Sequence, residues 1–192
     1  RLNNLGGDDH VLHHASLEAF EIIPWNQLEG LGRFLQRCYE SANPESLFRH
    51  GMMEYFANSE HQLACESFER AASFKHDQAT YILGIKLLGE DSESMQRGIQ
   101  LLKEVETRKK LKNVELSESR NICRKILLKM WPNPTIHREK PICSDLTCKK
   151  TKTRSSSGWS EDEFIFACEA CKWDHELMML FKGITWITNV SA

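Results

Sequence analysis

The chain lacks an initiator methionine, and its first ten residues, RLNNLGGDDH, contain no apolar core of a secretory signal, so an upstream start and a truncated N-terminus are expected. It also lacks any run approaching the roughly 18 apolar residues of a membrane helix. The richest window, LMMLFKGITWI, is interrupted by Lys182 and Gly183, so no membrane partner is expected. A charge excess is missing as well. With 25 basic and 27 acidic residues the formal net charge is -2, too little to draw the chain to nucleic acid or anionic lipid. Proline is scarce, at five residues, and three of these fall in the single stretch WPNPTIHREKP. No Gly-rich phosphate loop and no nucleophile elbow appears. The histidines of HVLHH have no cysteine at ligand spacing, so no catalytic residues are assigned.

What is present is ordinary for a globular chain: 192 residues, 41% hydrophobic and 27% charged. Seven cysteines without a secretory signal fit a reducing compartment, the cytoplasm or nucleus, where paired cysteines hold metal more often than disulfides.

From Asn26 the apolar residues recur at three and four: Leu28, Leu31, Phe34, Leu35 and Cys38 make one helical stripe. Asn43 followed by Pro44 predicts a cap and first turn for a second helix carrying Leu47, Phe48, Gly51, Met52 and Phe56. Further helices are expected through Leu63–Ala72, after Asp77, after Ser92, and through Ile122–Met130, the last stopping near Trp131 before two prolines. Cys38, Cys65 and Cys123 lie on apolar stripes and read as core residues. The cluster Arg108, Lys109, Lys110 and Lys112 reads as a solvated helix end, since no aromatics are interleaved with it.

A shift of 33 positions superposes Ser46 on Ala79, Phe48 on Tyr81, Gly51 on Gly84, Met52 on Ile85 and Phe68 on Leu101. Two helices per period of this length point to tetratricopeptide-like hairpins, Pro44 to Lys75 and Asp77 to about Lys109. Gly51 and Gly84 would sit where paired helices approach closely. Two unrelated amphipathic hairpins would give a similar pattern by coincidence.

Beyond a linker at 132–142 the composition changes. Cys143 and Cys148 enclose four residues, Cys168 and Cys171 enclose two, and nineteen lie between the pairs. Two short chelating loops joined by a longer one suit tetrahedral zinc bound by four thiolates. EFIFAC can form a strand leading into the second pair, and Trp173, Leu177, Leu180 and Phe181 a helix after it. Unliganded thiols and a thioredoxin-like redox pair remain the alternatives, although the latter wants a βαβ setting that is not seen. His175, four residues past the pair, is a possible substitute ligand that reads more simply as a surface residue. The fold expected is mainly α: helical hairpin repeats at 26–131, then a small cysteine-rich module at 143–182 whose few apolar residues should make it depend on metal, and a tail at 183–192.

Four segments, DDHVLHHASLEAFEIIPWN, NPESLFRHGMMEYF, ATYILGIKLLG with RGIQLL, and WSEDEFIFACEACKWDHE, together resemble a family of plant F-box proteins. In that family an F-box precedes Sel-one-like, tetratricopeptide-like repeats and a cysteine-rich C-terminus. The resemblance implies that residues 1–25 are the tail of an F-box, and that the chain is a protein-binding module similar to the substrate receptor of a cullin-based ubiquitin ligase. A protein client would occupy the groove of the repeats. The Skp-one adaptor would be a partner only if the F-box opening, absent here, lies upstream. A zinc- or thiol-dependent enzyme built on the cysteines is the rival reading, and a degenerate relative with protein binding alone is a third.

Overall fold

The computed structural model describes residues 8–20, 29–130, 142–143, 148, 153–154, 164–166, 168–182 and 184. Within them the chain is mainly helical. A short α1 (Asp9–His14) is followed by α2 (Glu29–Glu40), α3 (Pro44–Met53) and a π-helical turn (Glu54–Asn58) that prolongs α3. Then come α4 (His61–Ser73), α5 (Asp77–Leu87), α6 (Ser92–Leu111) and α7 (Leu116–Lys129). Two antiparallel two-residue strands, β1 (Thr153–Arg154) and β2 (Phe164–Ile165), precede α8 (Glu169–Phe181). Much of the 132–142 linker and of the 183–192 tail lies outside the described residues.

The repeat is written in the corners. Asn43 caps α3 by accepting from the Ser46 N–H, and 33 residues on His76 caps α5 by accepting at Nδ1 from the Ala79 N–H. A ring nitrogen that accepts there carries no proton, so Nε2–H is left to donate to the Glu45 carboxylate at 2.9 Å. The helix before each of these caps ends in the same way. The Asn43 N–H reaches back to the Cys38 carbonyl and that of His76 to the Ala71 carbonyl, with left-handed Ala42 and Lys75 between. Left-handed Asn113, with Val114 donating to the Lys109 carbonyl, makes a third corner of this kind after α6. Each satisfies carbonyls that a helix end otherwise strands.

The hairpins α3–α4 and α5–α6 close over glycines. A Cβ on Gly51 would lie 2.6 Å from Cε1 of Phe68, and one on Gly84 would lie 2.8 Å from Cγ of Leu102. Both glycines therefore stand at equivalent close contacts, but the partner of Gly84 is Leu102, not the Leu101 that a uniform shift of 33 assigns. One more residue separates the contact positions of the second hairpin than of the first. Gly98 of α6 completes that contact: its Cβ would meet the Gly84 carbonyl oxygen at 2.7 Å. Ala64, 34 positions earlier and fully buried, is the small residue at the matching place in α4.

α5 is buried on every side, from Ala79 to Ile85 without a break and again at Leu87. α4 and α6 flank it, and α7 and α8 cover the face they leave. Trp173, Leu180 and Ile184 belong to the same apolar core as Phe48, Phe56, Tyr81 and Ile85, with Leu177 and Phe181 packed against it. The apolar residues expected to make a small core of their own are thus shared with the repeats. α1 and α2 enclose a second, smaller core of Leu12, Leu17 and Cys38. Arg49 on α3 secures that region, donating to the carbonyls of Leu17 at 2.8 Å and Phe20 at 3.1 Å.

Two expectations change. Arg108 and Lys109 do not end in solvent: Arg108 Nε lies 2.8 Å from the Asp77 carboxylate, and Lys109 is buried between Asp77 and Glu118. Asp77 at the start of α5 holds both, which orients the α6–α7 corner. Cys65 is only half-buried, whereas Cys38 and Cys123 are core residues.

Candidate functional site

The four expected ligands meet. The sulfurs of Cys143, Cys148, Cys168 and Cys171 all lie within 4.8 Å of one another, and Sγ of Cys168 is 3.7 Å from that of Cys143. A disulfide would need about 2.05 Å. A tetrahedron with metal–sulfur distances of about 2.3 Å has edges of about 3.8 Å. The cluster therefore has the dimensions of a four-thiolate metal site.

Local chemistry explains why it forms. Cys168 is the N-cap of α8, and its sulfur accepts from the Cys171 N–H at 3.4 Å, so both sulfurs of the second pair ride on the first turn of that helix. The first pair is keyed to the same helix by Asp174, whose carboxylate accepts from the N–H groups of Ile142 at 2.7 Å and Cys143 at 3.1 Å. Asp174 has no signature that sequence spacing reveals, because an acidic residue on a helix after a cysteine pair is usually just solvated. The short β1–β2 pairing brings the chain back towards the cluster.

The backbone N–H of Cys171, aided by the neighbouring sulfurs, holds the Cys168 thiol below its ordinary range. Desolvation and the adjacent sulfurs push Cys148 up to about 12 and Cys171 up to about 11. Protons crowded onto a shared cluster in this way leave when a cation arrives. Cys143 and Cys171 are buried and the other two half-buried, so the four sulfurs would close the shell of a metal and leave no position for a reacting water. His175 is half-buried against the Phe166 ring, 5.1 Å between centroids, and is not one of the clustered ligands.

A footing beneath the cluster went unread in the sequence. Glu176, two turns along α8, is buried with one carboxylate oxygen accepting from the Tyr81 hydroxyl at 2.8 Å and the other from Arg120 at 2.7 Å. Burial raises the Glu176 carboxyl and the Tyr81 hydroxyl, while Arg120 opposes both shifts. Tyr81 sits on α5 and Arg120 on α7, so one carboxylate joins three helices.

The second candidate feature is a cleft of about 760 Å³ between the 15–20 segment, α3, the start of α5 and α7. Phe48 and Ile122 give it apolar walls, and Glu18, Glu45, Arg49, His76, Gln78 and Lys129 polar groups of both signs. An open groove along the repeats is met only in part, because α7 and α8 cover most of α5.

Among known proteins, residues 18–128 match the family described as plant tetratrico peptide repeats. A protein of Arabidopsis thaliana named "Putative F-box protein" is 30% identical over 84% of this chain. The chain spans 59% of that relative's length. No solved structure matches the chain. The matched residues are the ones that build α2 to α7 and their repeated corners, and the chain belongs to the plant tetratricopeptide repeat family.

Proposed function

We propose that this chain is a protein-binding module with no chemistry of its own, in which helical hairpins present a client cleft and one zinc ion, held by Cys143, Cys148, Cys168 and Cys171, fastens the C-terminal helix. The observation that carries the binding role is the cleft. It is large enough for several residues of a peptide, has both apolar walls and polar groups, and lies across elements that one repeat array positions. The rival reading, a zinc- or thiol-dependent enzyme, is disfavoured by the ligand set, since four thiolates leave a metal no open position for substrate or water. Zinc is the favoured metal because all-sulfur tetrahedral sites select it or iron–sulfur clusters, and the two pairs follow the knuckle spacing.

Lys129 is exposed at the rim of the cleft, and charge reversal there should leave the core intact. Proteins captured from a plant extract by the native chain should be lost or reduced about tenfold with Lys129→Glu, a loss of about 1.4 kcal/mol in binding. Identical capture by both would contradict a client cleft at this place.

The finer reading, a substrate receptor of an F-box ubiquitin ligase acting in the cytoplasm or nucleus, draws its support from the relative's name and the resemblance of the four segments. A pull-down with the Skp-one adaptor tests it. Binding that appears only when a leucine-rich F-box segment is placed ahead of Asp8 supports this reading, whereas robust binding by the chain as it stands would show that the F-box boundary lies elsewhere. Binding by neither contradicts it.

A further inference from the structure

The metal cluster and the repeats share α8, and the way α8 is held suggests more than anchorage. Two of the four sulfurs ride on its first turn, and Asp174 on the next turn fixes the loop that carries Cys143. The four-sulfur geometry therefore exists only while α8 keeps its present position. That position is set by the repeats. Glu176 is gripped by Tyr81 and Arg120, Lys172 by Glu106 at 2.6 Å, and Glu169 by Lys103 at 2.7 Å, while Arg124 donates to the Met179 carbonyl at 2.9 Å.

The seat of α8 is imperfect in ways a permanent interface avoids. The indole N–H of the fully buried Trp173 and the hydroxyl of Ser119 on α7 are both buried without a hydrogen-bond partner. A cavity of about 270 Å³ separates the start of α7 from α8, lined by Arg120, Lys172, His175 and Glu176 among others. Among the polar contacts of α8 with α5 and α7, that of Glu176 with Arg120 is a buried ion pair, whose desolvation cost offsets much of its attraction. Trp173 and Leu180 seat α8 in the shared core, and the polar defects around them lower what its closure is worth.

We infer that α8 is a latch: metal at the four cysteines holds it closed over Tyr81 on α5 and Arg120 on α7, and closure in turn raises the cluster's affinity for metal. This inference rests on the zinc reading above. Two equilibria that share one moving element are coupled reciprocally, whichever is perturbed. Metal occupancy then regulates access to the second hairpin, because release of α8 uncovers the apolar face of α5 together with Tyr81 and Arg120. Glu176 and Tyr81 act as positioning residues, touching no ligand sulfur yet setting how readily the four sulfurs assemble.

The test uses the full chain. Zinc affinity is measured by competition with a chromophoric chelator for the native protein, Tyr81→Phe and Glu176→Gln, and hydrogen exchange in α5 and α7 is followed with and without zinc. Tyr81→Phe keeps the ring and removes only the hydroxyl, so it stays folded even if Glu176→Gln, which removes the buried negative charge facing Arg120, does not. Both variants, or Tyr81→Phe alone where the other fails to fold, should bind zinc about tenfold more weakly. Removing zinc should speed exchange around Tyr81 and Arg120. Zinc affinity equal to native in Tyr81→Phe, or exchange in α5 unaffected by zinc, would overturn the latch while leaving the zinc site standing. A native chain that takes up no zinc would overturn the site and the latch with it.

Discussion

Gly84→Leu is expected to destabilise the protein by at least about 3 kcal/mol, the upper end of ordinary overpacking. The Cβ alone would sit 2.8 Å from Leu102 and 3.1 Å from the Gly98 carbonyl oxygen, and α5 has no exposed side towards which it could shift. Leu102 can change rotamer, but the α6 backbone cannot withdraw without pulling Val105 and Leu102 out of the core. Gly98→Ala should be costly for the same reason, because the group it meets at 2.7 Å is backbone. Gly51→Ala should cost less: its neighbour is the ring of Phe68, a side chain that can tilt. Urea unfolding of the three variants checks the order. Equal and small losses in all three would show that the helices are not in close contact at these glycines.

Trp173→Ala should cost about 3–5 kcal/mol, the range for removing a fully buried large aromatic. Trp173 is wholly buried and joins α8 to the core that also holds Phe56, Tyr81 and Ile85. Were the cysteine segment a free-standing module, the loss would appear only in its own transition and leave the repeats untouched. With a shared core the repeats lose stability too, so the main transition in denaturant should move to a lower midpoint. An unchanged main transition would contradict the shared core.

The parts of the molecule that rest on local chemistry were legible in the sequence. Asn43 before Pro44 marks the start of α3, because capping residues and helical periodicity act over four or five positions, whereas the starts expected after Asp77 and Ser92 come one residue earlier, with His76 and Asp91 as the caps of α5 and α6. The four cysteines were legible for a similar reason, chelating loops being short. What was hidden depends on which face meets which. The apolar pattern of Trp173, Leu177, Leu180 and Phe181 announces an amphipathic helix but not its partner, so the merging of α8 with the repeats could not be read. Nothing local distinguishes Glu176 from a surface carboxylate, since its partners Tyr81 and Arg120 stand 95 and 56 residues away. Gly98 carries no local signal, because its role exists only opposite Gly84. Lys109 read as solvated because a run of basic residues usually is, whereas Asp77, thirty-two positions earlier, folds back against it.

A closed four-sulfur centre at Cys143, Cys148, Cys168 and Cys171 and the open site of an enzyme differ in the ligands that a bound metal would carry. X-ray absorption at the zinc edge, with elemental analysis of protein purified without chelator, tells them apart most directly. About one zinc per chain, with a shell of four sulfurs at about 2.3 Å and no nitrogen or oxygen ligand, is the expected result. Well under one zinc per chain, or a shell that includes oxygen, would contradict the closed centre.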